Sequence, residues 1–185
     1  MIRNKTNMSA QRFLINQAIA NSIIAAFQHA PIYVKGLKTD DPKRDNLRKE
    51  LTKRLRSLGA NYAKGRVKKD HFQIIINLAE KLTEKFKQTQ TLRDDRFRIG
   101  IAQKSLNLYL KYLWCLGIIR QPPPHCPLDG IIISKLDLIR GEIGKYKWTK
   151  LDDIETYRTL INKCKCKAGT TSIAEWELRE WNSNH

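Results

Sequence analysis

From Ile99 to Leu116 the chain reads IGIAQKSLNLYLKYLWCL, and charge falls only at Lys104 and Lys111. A helix that is apolar on nearly every face is a buried helix. This stretch therefore predicts the centre of a helical fold. Almost every other segment shows helical period or helix punctuation. The strand-like pieces, Ile32 to Val34 and Ile131 to Ile133, are too short to build a sheet. The expected fold is all-α with about seven helices, a single domain over residues 1–185, either one body or two lobes with a cleft.

Punctuation sets the expected boundaries. Ser9 caps a first helix running to about His29, with Pro31 beyond its end. Asp41 caps and Pro42 opens a second helix, which Gly59 ends after Leu58. Leu47, Leu51, Leu55 and Leu58 form its apolar stripe. Asn61 to Lys69 is a basic loop. Asp70 caps a third helix with Phe72, Ile75, Ile76, Ala79, Leu82 and Phe86 at helical spacing. The loop QPPPHCP cannot be helical, since successive prolines remove donors and extend the residues before them. A short helix starts near Leu128, and Gly141 to Lys147 connects it onward with a turn or small hairpin. Two C-terminal helices occupy 149–182. Thr149 caps the first and Gly169 ends it, and Ser172 with Glu175 makes a capping box for the second. Trp176 and Trp181 in that last helix dock on the protein's own core.

Lys and Arg total 35 against 18 for Asp and Glu, a formal net charge of +17. Such a surplus attracts polyanions, nucleic acid foremost. An anionic membrane is the rival, but the most basic helix carries only a thin leucine stripe where membrane binding favours a bulky apolar face. The polar start MIRNKTNMSAQRF lacks a secretory pattern. The longest uncharged run, Phe13 to Gln28, is too short to span a bilayer. A cytoplasmic protein is expected, with Cys115, Cys126, Cys164 and Cys166 as reduced thiols. No cofactor is called for.

The positive charge is concentrated in the helix and loop of 42–69. Arg44, Arg48, Lys49, Arg54, Arg56, Lys64, Arg66, Lys68 and Lys69 are the candidate nucleic-acid contacts, joined by Lys43 and Lys53 and opposed only by Asp45 and Glu50. Positions 44, 48 and 56 lie roughly along one face, and each phosphate they neutralise releases counterions. The plainer alternative is a solvated helix face. DNA ranks ahead of RNA as the partner.

Residues 98–135 carry the candidate chemistry. Gly100 and Lys104 open one helix, and Pro127 precedes Asp129 at the mouth of the next. In this respect the chain resembles helix-hairpin-helix DNA glycosylases. The resemblance implies a flipped base, excision at its glycosidic bond and strand cleavage through a Schiff base, with Lys104 as nucleophile and Asp129 stabilising charge at the sugar carbon. The chemistry needs such types: an uncharged amine in a dry place, and a carboxylate facing an oxocarbenium-like centre. A flipped base needs flat walls, and Tyr109, Tyr112, Trp114 and Trp148 are candidates. The alternative makes Lys104, Asn107 and Lys111 the solvent stripe of a core helix and Asp129 an ordinary cap. A non-catalytic nucleic-acid-binding protein is the competing class.

Two further patterns bear on chemistry. Arg66 to His71 and Arg120 to His125 each fit R-x4-H, which resembles the RNase motif of the all-helical HEPN domains. That resemblance implies metal-independent RNA cleavage, with histidine moving the proton and arginine on the phosphate. His125, Cys126, Cys164 and Cys166 could collect zinc, but the spacing is no C-x2-C pair and adjacent ligands are awkward, so no metal site is assigned.

Overall fold

A computed structural model describes residues 2–67, 70–138 and 146–183. Among these it is all-α. Seven helices follow in order: α1 (Ile2–Phe27), α2 (Pro42–Ala63), α3 (His71–Phe86), α4 (Ile99–Cys115), α5 (Gly130–Ser134), α6 (Ile154–Ala168) and α7 (Ile173–Asn182), with 3-10 turns at Arg93–Asp95 and Trp148–Lys150. They form one domain around α4, which packs against α1, α2, α3 and α6. The apolar character of α4 has the expected result: Ile101, Ala102, Leu106, Tyr109, Leu110 and Leu113 are all buried. Leu47, Leu51 and Leu55 of α2 are fully buried, while Leu58 is only partly so. In α3 the buried face runs through Ile74, Ile75, Leu78, Ala79, Leu82 and Phe86, with Phe72 packed at its edge. Among the described residues no helix is long and apolar enough to cross a membrane.

Several caps match the sequence signals. The Asp41 side chain accepts from the Lys43 amide at 2.8 Å, and Ser172 and Glu175 form the reciprocal box. Gly169 follows the last residue of α6. Other boundaries need correction. Ser9 lies inside α1, because nothing upstream breaks the helix and an interior serine costs only a few tenths of a kcal/mol. Thr149 lies in a 3-10 turn, and Asp153 caps α6 by accepting from the Thr156 amide at 2.7 Å. Asp70 occupies the cap position of α3 without a capping bond.

Gly59 does not end α2, which continues to Ala63. Here glycine serves close packing: a Cβ would stand 2.6 Å from Tyr109 Cε1 and 2.8 Å from Leu113 Cδ1. The helix crosses α4 at a distance only a missing side chain allows. The connector Gly141 to Lys147 falls mostly outside the described residues, as do Lys68 and Lys69. Trp176 is buried on the core as expected, whereas Trp181 is 41% exposed beside Lys111.

Candidate functional site

The cations of α2 divide into two groups. Some are engaged within the fold. Arg44 donates to the Leu37 carbonyl at 2.6 Å and lies 4.3 Å above the Tyr33 ring. Arg54 pairs with Glu50 at 2.8 Å, and Arg56 donates to Asn16 Oδ1 at 3.0 Å. Lys85 shares Glu50, and its hydrogen bond holds that carboxyl below its ordinary value. The others, Arg48, Lys49, Lys53, Lys64 and Arg66, are exposed and make no ion pair among the described residues. The continuous row expected from the sequence is thus a shorter set of free cations flanked by structural ones.

Lys104 and Asp129 face one another, Nζ to Oδ2 at 3.3 Å, with side chains 12% and 23% exposed. Asp129 is also the cap of α5, its Oδ1 accepting from the Ile132 amide at 3.0 Å. The Lys104 ammonium lies 4.4 Å from the Trp148 ring centroid. The pair is clamped: carboxylate on one side, indole face on the other. Of the four aromatic candidates, Trp148 is the one against Lys104. Tyr109 is a core residue at Gly59, with burial pushing its hydroxyl up to about 12. Nine residues of helix separate Tyr109 from Gly100, which meets Trp148, so the two places lie about 13 Å apart along the axis. Tyr112 and Trp114 are half-buried further along α4. The four do not line one pocket.

The mouth of α4 is occupied by the protein itself. Gly100 donates its amide to the Leu151 carbonyl at 2.7 Å, and Asp152 accepts from the Ile99 amide at 3.1 Å while holding Arg96 at 2.8 Å. A carboxylate at a helix N-terminus satisfies both free amides and dipole. Asp152 carries no local signal for this role, because its partners lie over fifty residues upstream.

The solvent stripe expected on α4 is instead a buried polar seam. Asn107 and Gln103 are fully enclosed, and Lys111 is buried against Glu177 at 2.8 Å. Gln103 donates to the Gly100 and Leu128 carbonyls at 3.0 and 2.8 Å and accepts from the Leu128 amide at 3.0 Å. Asn107 donates to the Cys126 carbonyl at 3.0 Å and to the Tyr157 hydroxyl at 3.1 Å, while its Oδ1 lies 2.8 Å from His71 Nε2. Tyr62 bonds the other nitrogen of His71, and the Tyr157 hydroxyl sits 2.9 Å from His125 Nδ1. The network assigns the protons: His71 Nε2–H donates to Asn107, His71 Nδ1 accepts from Tyr62, and His125 Nδ1 accepts from Tyr157. Each imidazole is neutral. Burial lowers both, His125 to about 2 with the Arg158 guanidinium adding to the effect.

The histidines of the two R-x4-H patterns therefore meet, their ring centroids 4.5 Å apart. Arg66 and Arg120 are exposed, whereas His71 and His125 are buried. Cys126 and Cys164 are buried thiols with sulfurs 3.9 Å apart, and Cys166 is exposed. Among the described residues no three histidine, cysteine, aspartate or glutamate side chains cluster as a metal site. Set against family models, curated proteins and solved structures, the chain finds no match.

Proposed function

We propose that this is a cytoplasmic nucleic-acid-binding protein, with DNA its first partner, that docks phosphates on the exposed cations of α2 and the turn after it. One observation carries this reading. Arg48, Lys49, Lys53, Lys64 and Arg66 stand in water without carboxylate partners among the described residues, on a chain of net charge +17. Unpaired cations release phosphate counterions on binding, while cations already in ion pairs gain less. A duplex-DNA anisotropy titration across salt is expected to give a steep fall in affinity. The triple variant Lys49→Glu, Lys53→Glu, Lys64→Glu should weaken binding to every sequence alike. It should also flatten the salt dependence by about one unit of slope for each phosphate no longer neutralised. Affinity that hardly changes between about 50 and about 200 mM salt would refute the assignment. Tighter binding to matched RNA would transfer it from DNA to RNA.

A second reading, base excision at Lys104 and Asp129, is favoured by the 3.3 Å approach of the two groups. An amine held between a carboxylate and an indole presents a cation, and attack on a sugar carbon needs its lone pair free. The step therefore requires substrate to open the clamp. Borohydride trapping on abasic-site DNA is the test: an adduct present in the wild type and absent in Lys104→Ala supports the lyase. No adduct, with salt-sensitive binding intact, leaves the binding protein.

A further inference from the structure

Beyond the α2 row, the protein contains a hollow of about 600 Å³ lined by both cationic and apolar residues. It is built where α1 ends. Pro31 stops the helix, and residues 32–34 run antiparallel to 91–93, with Arg93 N donating to the Ile32 carbonyl at 2.7 Å and Val34 N to the Thr91 carbonyl at 3.2 Å. That pairing sets Arg93 beside the first turns of α2, which bring Arg44 and Arg48. Three guanidinium groups therefore line the hollow and no carboxylate does. Asp45 acts electrostatically on Tyr33 but is not in the lining. Phe27 and Ile24 of α1 line it as well, Ile24 being 61% exposed.

One polar atom among these arginines has its hydrogen-bonding unmet: Arg44 Nε is enclosed without a partner, while Arg48 reaches the Tyr33 hydroxyl. A buried donor left unpaired costs about 1–3 kcal/mol, and such groups are tolerated where a ligand completes them. Arg48 and Arg93 make no ion pair among the described residues, so their charges are not cancelled within the fold. Arg44 is already fixed by the Leu37 carbonyl and the Tyr33 ring, so one guanidinium is set in place before anything binds. The hollow is within the size range of small-ligand sites. Guanidinium forks match phosphate oxygens, and an aromatic side chain in the same hollow suits a flat ring.

We propose that this hollow takes a nucleoside phosphate, the phosphate on Arg44, Arg48 and Arg93 and the base against Phe27 and Ile24. That chemistry has two sources, a free nucleotide and the 5′-phosphorylated end of a strand. The inference goes beyond duplex docking on α2, because it concerns a terminal phosphate and depends on Arg93, which lies outside that row.

The test titrates the full chain with ADP, adenosine, inorganic phosphate, and one single-stranded oligonucleotide bearing either a 5′-phosphate or a 5′-hydroxyl. Arg93→Ala runs alongside, with thermal melting to confirm that it is folded. Expected is at least about tenfold tighter binding of the phosphorylated strand than of its hydroxyl form, roughly one charge-assisted contact pair. The gain should vanish in Arg93→Ala, while binding of the 5′-hydroxyl strand stays unchanged. ADP binding that is abolished in Arg93→Ala, with adenosine inert, supports the site and adds the free nucleotide as a source. Binding of the phosphorylated strand without ADP supports it with the strand end as the source. Inorganic phosphate as tight as ADP overturns the nucleoside half of the proposal. Equal affinity for the two strand ends together with silent ADP overturns it entirely, and in that case salt-sensitive duplex binding would still stand.

Discussion

Acidification below about pH 6.5 is expected to destabilise the fold by up to about 1.4 kcal/mol per pH unit for each of two histidines. His71 and His125 are buried and neutral, and each has its folded value pushed below the ordinary one, His125 to about 2. Between the folded and unfolded values the unfolded chain binds more protons than the native one. The stabilisation is therefore complete above about 6.5 and declines progressively as pH falls toward the folded values. Protonation has a structural cost as well as an electrostatic one. His125 Nδ1 accepts from Tyr157, whose hydroxyl already accepts from Asn107, so a new N–H there would face a donor. His71 Nδ1 faces Tyr62 in the same way. Glu177 opposes the trend: burial raises its carboxyl, so its own contribution improves as pH falls. Urea midpoints measured from neutral pH down to about pH 5 give the slope. In His125→Gln that slope is expected to fall by about half, since one of the two titrations is gone. A slope unchanged in both His125→Gln and His71→Gln would place the acid sensitivity elsewhere.

The same seam shows where a sequence is legible and where it is not. Local signals translate directly: Ser172 and Glu175 recognise each other three residues apart, Asp41 reaches its own helix, and Asp129 caps α5 as its position suggests. The apolar faces of α4 are equally legible, because burial leaves a periodic trace. The polar face of α4 is not. Lys104, Asn107 and Lys111 have the spacing of a solvent stripe, and spacing alone does not distinguish water from a polar partner. The partners are Cys126, Asp129, Tyr157 and Glu177, which reach α4 from the proline loop, the mouth of α5, α6 and α7. The prolines of that loop mark it as non-helical but say nothing of the carbonyl it delivers to Asn107. Of the candidate sites, Lys104 and Asp129 stand together as their positions at two helix mouths suggest. The hollow at Tyr33 instead depends on the pairing of segments some sixty residues apart, Ile32–Val34 with 91–93, that no local pattern announces.

Gly100→Ala is expected to cost about 3–5 kcal/mol, in the range reserved for a change the structure cannot absorb. A Cβ at Gly100 would fall 1.8 Å from the Trp148 carbonyl oxygen and 3.0 Å from its carbon. Both are backbone atoms, so no rotamer relieves the overlap, and the segment from Trp148 to Asp152 must move as a unit. That motion breaks the Gly100 to Leu151 hydrogen bond, withdraws Asp152 from the Ile99 amide and from Arg96, and takes the indole off Lys104. Gly59→Ala is the comparison. Its Cβ meets side-chain atoms of Tyr109 and Leu113, which can shift, so about 1–3 kcal/mol is expected there. Urea unfolding of the two variants should rank Gly100→Ala as the more damaging, and the reverse order would show that the Trp148 segment yields easily. The substitution also separates the two functional readings. The free cations of α2 lie on another helix, so the folded fraction of Gly100→Ala should keep salt-sensitive DNA binding. Any borohydride adduct at Lys104 should disappear with Trp148, because the segment this glycine lets in carries the indole that orients the amine beside Asp129 until substrate opens the clamp.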